Sequence, residues 1–197
     1  GQLLAQVATL TTEVYSPLTD TFTYGPPMVA PRSLHTMTLL QNGRYLFAGG
    51  VDDLNNPQSR CEVFDPVTNS FTLVASMNSA RMGHTATLLS DGRVFVTGGF
   101  AALSVTPTQL SAIRDAVDTT ELYDPVPDTW AVATPMSVPR SAHLALHRPD
   151  GKVLLCGGVS WDPNIFLGWV PTVRSSCDLY DPVTNSMSSG PSMSASR

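Results

Sequence analysis

The residues best suited to chemistry sit together in "RMGHTATLLSDGRVFVTGG", residues 81–99: an arginine, a histidine three positions on, an Asp-Gly, and an apolar run ending in Gly98-Gly99. Arg81 and His84 could act as acid, base or ligand, and a glycine pair could make room for a phosphate. The same pattern recurs, however. Residues 32–50 carry Arg32, His35, Asn42-Gly43 and Gly49-Gly50, and residues 140–158 carry Arg140, His143, Asp150-Gly151 and Gly157-Gly158. A catalytic group is needed once per site, so a constellation present in every unit reads as a repeating structural contact. A phosphate cradle would also need a glycine-rich loop opening a helix, whereas Gly99 and Gly158 lead through loops to further strands.

Other chemistry does not assemble. There is no Gly-x-Ser-x-Gly elbow, His-Glu-x-x-His pair or Walker loop, and the fourth histidine, His147, also lies inside a repeat. No catalytic residue, metal or cofactor is therefore assigned. The 197 residues are 42% hydrophobic, enough for a continuous core, and the net charge is −5. Lys152 is the single lysine among eleven basic residues, so no basic stripe exists to track a nucleic-acid backbone. No apolar run reaches eighteen residues, and the start "GQLLAQVATL" lacks the basic flank and cleavage pattern of a signal peptide. Three cysteines, Cys61, Cys156 and Cys177, are too few for a metal knuckle or a disulfide framework. Free, partly buried thiols are the default reading, and one bridge with one thiol left over is the alternative.

The elements that must position these residues follow from a second repeated block: "TEVYSPLTDTF" at 12–22, "CEVFDPVTNSF" at 61–71, "TELYDPVPDTW" at 120–130 and "CDLYDPVTNSM" at 177–187. The unit is two hairpins. In the first, apolar runs flank an Asn-Gly or Asp-Gly, the signal for a two-residue turn with both residues at positive φ. In the second, a short strand ends at a Pro-containing turn, and the next strand carries Phe22, Phe71, Trp130 or Met187. Four strands per unit of about 50 residues, without helical periodicity between them, predict an all-β propeller.

The glycine pair, then an aromatic (Phe64, Tyr123, Tyr180), then a large residue seven positions on (Phe71, Trp130, Met187), resembles the kelch repeat. The blades are similar to those of bacterial kelch proteins and of the central domain of galactose oxidase, and the resemblance covers residues 12–197. It implies a kelch-type propeller fragment: the outer half of a blade at 12–31, blades at 32–80 and 81–139, and a blade plus the start of the next at 140–197, after a lead-in over 1–11. It also implies an innermost first strand and aromatics packed between blades. Arg and His are expected to bond neighbouring backbone carbonyls or the repeated acids Glu62, Glu121 and Asp178, since a buried carboxylate requires a partner. The family includes adaptors, scaffolds, carbohydrate enzymes and copper oxidases, so the resemblance does not fix a function. The tyrosine, histidine and cysteine set of galactose oxidase-like copper chemistry is not matched here.

Function is expected where the repeats diverge. The first-to-second and third-to-fourth turns share one face and are tight. The opposite face holds all the length variation, with eleven residues between Gly50 and Glu62, twenty-one between Gly99 and Glu121, and nineteen between Gly158 and Asp178. In "TPTQLSAIRDAV", 106–117, Thr106 as cap, Pro107, Gln109 and apolar Leu110, Ile113 and Val117 predict a short helix. The loop at 159–176 gathers Trp161, Phe166 and Trp169 with Asp162 and Arg174 nearby. These residues and Arg114 are the candidate contacts for a protein or glycan partner, and packing onto a neighbouring blade is the plain alternative. Three and a half blades do not close a ring, so further blades of the same or another chain are expected to complete it. The reading is a non-catalytic binding or scaffolding module, extracellular or at the cell surface, with a cytoplasmic site and a galactose oxidase-like or other carbohydrate-active enzyme as alternatives.

Overall fold

Each unit begins with an apolar pair of strands folded back at a glycine. The structure is a computed structural model and describes residues 8–101, 105–106, 109–110, 116–164 and 168–196. It places β3 (Thr36–Leu39) beside β4 (Tyr45–Ala48), β7 (Thr85–Leu88) beside β8 (Val94–Thr97), and β13 (Leu144–His147) beside β14 (Val153–Cys156). The turns differ from the expected two-residue type. Only the glycine takes positive φ (81° at Gly43, 90° at Gly92, 81° at Gly151), and its N–H donates to the carbonyl three residues back, as Gly43 does to Leu40 at 3.0 Å. This is a three-residue loop closed by a left-handed glycine, because Asn42 and its counterparts can stay right-handed once glycine absorbs the twist.

The second hairpin of each unit completes a blade. β5 (Cys61–Asp65) and β6 (Ser70–Val74) join β3 and β4. β11 (Thr120–Asp124) and β12 (Thr129–Ala133) join β7 and β8, and β17 (Cys177–Asp181) and β18 (Ser186–Ser189) join β13 and β14. The result is three antiparallel four-stranded sheets in sequence order, with β3, β7 and β13 as adjacent innermost strands. β1 (Glu13–Ser16) and β2 (Thr21–Tyr24) form a separate two-stranded ladder. The architecture is an all-β partial propeller, with no helix among the described residues.

Apolar residues fill the wedges between blades. Leu40, Leu46, Ala48, Cys61 and Val63 of the first blade bury against Val94, Val96 and Tyr123 of the second. Phe95 and Leu122 of the second bury against Val153, Leu155 and Tyr180 of the third, with the Phe95 and Tyr180 rings stacked 3.9 Å apart. The Trp130 indole N–H crosses the first wedge to the Ala75 carbonyl at 2.8 Å. Buried aromatics with a satisfied polar end make these seams both apolar and oriented.

Two further expectations are corrected. The start of the expected helix is extended: β9 (Val105–Thr106) pairs antiparallel with β10 (Gln109–Leu110), Thr106 opposite Gln109. Proline confines the residue before it to extended backbone, and β-branched Val105 and Thr106 favour a strand. The remainder of that segment, with Ile113 and Arg114, lies outside the described residues. The default of free thiols fails for two of the three cysteines. Cys156 and Cys177 face each other across β14 and β17 with Cα atoms 4.2 Å apart and form a disulfide, leaving Cys61 as the buried free thiol.

Candidate functional site

The repeated arginines end in the same trap in every blade. Arg32 Nη1 donates to the carbonyls of Gly49 (2.9 Å) and Arg60 (3.1 Å), and its Nη2 donates to Glu62 Oε1 at 2.5 Å. Arg81 repeats this with Gly98, Thr119 and Glu121 (2.8, 3.1 and 2.8 Å), and Arg140 with Gly157, Ser176 and Asp178 (3.0, 2.9 and 3.1 Å). All three arginine side chains are fully buried. The carboxylates in turn hold the link from the preceding unit: Glu62 accepts from the Val29 and Ala30 amides, and Glu121 from those of Asn78 and Ser79. Asp178, one methylene shorter, takes the Ser137 amide and hydroxyl. Each ion pair is thus held within several charge-assisted bonds, which is what a buried pair requires, and the Nε of each arginine is the one guanidinium nitrogen left without a partner.

The glycine pairs belong to the same clamp. The second glycine of the pair donates to the backbone of the next arginine, Gly50 to the Arg81 carbonyl (2.9 Å) and Gly99 to the Arg140 carbonyl (3.0 Å). At Gly99, with φ at 95°, an added Cβ would stand 2.6 Å from the Met82 carbonyl oxygen, so only glycine fits.

Two histidines depart from expectation: the partners of His84 and His143 are threonines of the preceding blade, not carbonyls or acids. His84 Nε2 is hydrogen-bonded to Thr36 Oγ1 (3.0 Å), and His143 Nε2 to Thr85 Oγ1 (3.0 Å) and Thr97 Oγ1 (2.8 Å). Burial, reinforced by the adjacent arginine, lowers both imidazoles from 6.5 to about 3, and the same causes lower His35 to about 4. Neutral, enclosed rings of this kind cannot deliver protons near neutral pH. The arginine side chains are clamps within a blade, and His84 and His143 are joints between blades. Tyr123 and Tyr180 pack their rings into the wedges while their hydroxyls bond Asp128 (2.9 Å) and Asn185 (3.0 Å) in their own turns. No group of three His, Cys, Asp or Glu side chains is placed to hold a metal among the described residues.

What remains are the excursions after each glycine pair. All leave through the same neck: Ser33, Met82 and Ser141 bridge to Val51, Phe100 and Val159. The amides of Gln58, Val117 and Arg174 then close on the carbonyls of Gly50, Gly99 and Gly158. Beyond the necks the blades differ. The third carries a hairpin of β15 (Val159–Asn164) and β16 (Gly168–Val173) where a loop was expected. Trp161 pairs with Pro171, Asp162 with Val170 and Trp169 with Pro163, so three candidate residues lie on one ladder. Past the bridge at Val159, this is a two-stranded ribbon among the described residues, and such edges are where proline is tolerated. Arg174 sits at its base, its Nε donating to Ser160 Oγ at 2.8 Å. Phe166, like Arg114, lies outside the described residues.

Comparison with known proteins rests on this frame. The model of the Kelch motif matches residues 31–78, the span that holds Arg32, Gly49-Gly50, Glu62 and Phe64. Residues 31–78 thus match the kelch motif. The F-box/kelch-repeat protein SKIP4 of Arabidopsis thaliana is 30% identical over 77 residues, 39% of this chain and 19% of that protein. Among solved structures, YjhT superposes with a TM-score of 0.76 at 14% identity, covering 95% of this chain and 63% of its own. A fungal alcohol oxidase of the AA5 family, in complex with copper, gives 0.55 at 14% identity, covering 96% and 50%. The chain therefore spans less than two thirds of the length of each of these three proteins, and the structural likenesses concern the fold alone.

Proposed function

We propose that this kelch module binds a protein partner on the face where the excursions emerge, with the β15–β16 hairpin as its principal contact. The supporting observation is the contrast within one repeat: three necks with the same contacts carry excursions of different length, and the longest ladder among them holds Trp161 and Trp169. A scaffold that fixes the base and varies the tip is suited to recognition, and large aromatics supply the anchors that recognition surfaces need. The kelch relation supports a protein partner over a glycan.

The Cys156–Cys177 disulfide, closing the base of the same excursion, supports an oxidising compartment, extracellular or at the cell surface. The test is Trp161→Ala with Trp169→Ala, compared with wild type by quantitative cross-linking to partners and on a carbohydrate array. Loss of at least tenfold in protein binding supports the reading. Unchanged binding to every partner overturns it, and loss confined to the array transfers the site to a glycan.

A further inference from the structure

Of the three glycine turns, only the first carries a neutral amide. Asn42, Asp91 and Asp150 take the same seat, each accepting through Oδ1 the backbone N–H two residues on, from Arg44 (3.1 Å), Arg93 (3.1 Å) and Lys152 (3.2 Å). That bond folds the Asn42 side chain back over the peptide that follows it, which keeps Cγ close to the Gly43 nitrogen. It also polarises the side-chain carbonyl where a nucleophile would add. Asp91 and Asp150 are poor electrophiles, because each is an anion paired with an arginine, Arg93 at 2.7 Å and Arg148 at 3.1 Å. Asn42 is uncharged and carries a leaving group, ammonia, while Arg44 is engaged with Asp65 at 2.9 Å.

The attacking nitrogen is unhindered. A Cβ built on Gly43 would meet nothing within 4 Å, and both residues are exposed, so water and hydroxide reach them. Asn69 and Asn185 are exposed too, but each precedes a serine, whose side chain crowds the nitrogen, and each is held at left-handed φ (50° and 48°). One bond opposes the reaction at Asn42. The Gly43 N–H donates to the Leu40 carbonyl at 3.0 Å, so the loop tip opens before the nitrogen attacks, and exposed tips open at low cost.

We infer that Asn42 is a site of spontaneous modification, deamidating through a succinimide to aspartate and isoaspartate. The Gly43 nitrogen gives its proton to solvent and bonds to Asn42 Cγ, and the Cγ–Nδ2 bond breaks as Nδ2 takes a proton and leaves as ammonia. Water then opens the ring, at the side-chain carbonyl to give aspartate or at the main-chain carbonyl to give isoaspartate. Aspartate at this seat stands two residues before Arg44, as Asp91 stands before Arg93, and so competes with Asp65 for the guanidinium. Isoaspartate lengthens the backbone by one carbon and pulls Gly43 away from Leu40. Either product adds a negative charge to the cleft of about 450 Å³ between the first two blades, lined by Asn42, Arg44, Asp65, Tyr123 and Asp128 among others. The inference is independent of the partner reading of the β15–β16 face.

The test is incubation of the whole chain at neutral and at mildly alkaline pH, with peptide mapping by mass spectrometry. Isoaspartate is counted by methyl transfer from S-adenosylmethionine with an isoaspartyl methyltransferase. Conversion at Asn42 should be at least tenfold faster than at Asn69 or Asn185, should speed up with pH, and should lie within tenfold of that in a synthetic peptide of residues 40–44. Gly43→Ala should slow it at least tenfold in both chain and peptide, the peptide separating crowding of the nitrogen from any disturbance of the turn. An intact Asn42 in the folded chain while the peptide converts overturns the inference, because the turn then protects the amide. Conversion no faster than at Asn69 and Asn185 overturns it as well.

Discussion

The two ends of each blade are built by different rules. At the turn end every connection is short and the same: Asp65, Asp124 and Asp181 each accept the amide two residues on (2.8, 3.0 and 3.0 Å), and ion pairs such as Arg44–Asp65 lie at the surface. At the loop end the charges are inside. Arg32, Arg81 and Arg140 are sealed in their clamps, and the excursions vary above them. The variable end is thus the one with the most heavily bonded base. Fixing the neck decouples the excursion from the blade, so length and sequence can change above it at little cost to the packing below.

If that contrast is right, the largest effect belongs to the clamp. Arg81→Met leaves Glu121 buried without its counter-charge and should cost about 3–5 kcal/mol in urea unfolding. Adding Glu121→Gln to the same protein should restore part of the loss, since the uncompensated charge is gone. A cost below about 1 kcal/mol for Arg81→Met would break the comparison, because the neck would then not depend on its ion pair.

The disulfide comes next. It ties positions 21 residues apart in sequence at the base of the third excursion. Cys156→Ser with Cys177→Ser should lower stability by about 3 kcal/mol, the scale for closing a loop of that size. The added expectation is local: hydrogen exchange should speed up in β15–β16 and stay unchanged in β7–β8. Uniform acceleration would show that the bridge secures the blade, not the excursion.

Much of this was legible in the sequence, and the failures have physical reasons. The glycine turns and the pairing of arginine with a repeated acid follow from single residues whose alternatives are costly: positive φ at Gly43, and an unpaired buried charge at Glu62. The threonine partners of His84 and His143 were not legible, because they lie 48 and 58 residues away on a neighbouring blade. The disulfide did leave a signal, since aligning the blades sets Cys156 opposite Cys177 where Ala48 faces Cys61 and Thr97 faces Thr120. The start of the helix expected from Thr106 is extended instead, because a helix cap and a residue before proline share extended backbone, so "TP" fits the entrance to a helix or the end of a strand. Of the candidate binding residues, the pattern of the sequence found the ladder that carries Trp161, Asp162 and Trp169 but not its hairpin form.

Acid should probe the joints between blades. His84 and His143 have folded-state values near 3, against about 6.5 in the unfolded chain, so below pH 6.5 the unfolded chain takes up protons that the folded chain refuses. Stability from these groups is complete above that pH and is lost as pH falls towards 3, at about 1.4 kcal/mol per pH unit for each histidine at most. His84→Gln with His143→Gln should flatten the slope of unfolding free energy between pH 6 and 4. An unaltered slope would mean that the imidazoles are protonated in the fold and that the threonine bonds do not hold them neutral.

The smallest effect should come from the turn end, and it tests the comparison from the other side. Arg44 and Asp65 make a contact of 2.9 Å, as short as the buried pairs, but the arginine side chain is 53% exposed. Water and salt screen such a pair, and the long side chain loses rotamer freedom when it is held, so distance alone does not set its worth. Arg44→Ala should change stability by less than about 1 kcal/mol, and the change should shrink further in 0.5 M salt. The matching substitution at the loop end, Arg81→Met, should be insensitive to salt because no solvent reaches its guanidinium. Similar losses and similar salt dependence at the two positions would mean that burial does not separate the two ends. The varied excursions would then need another explanation than a fixed neck.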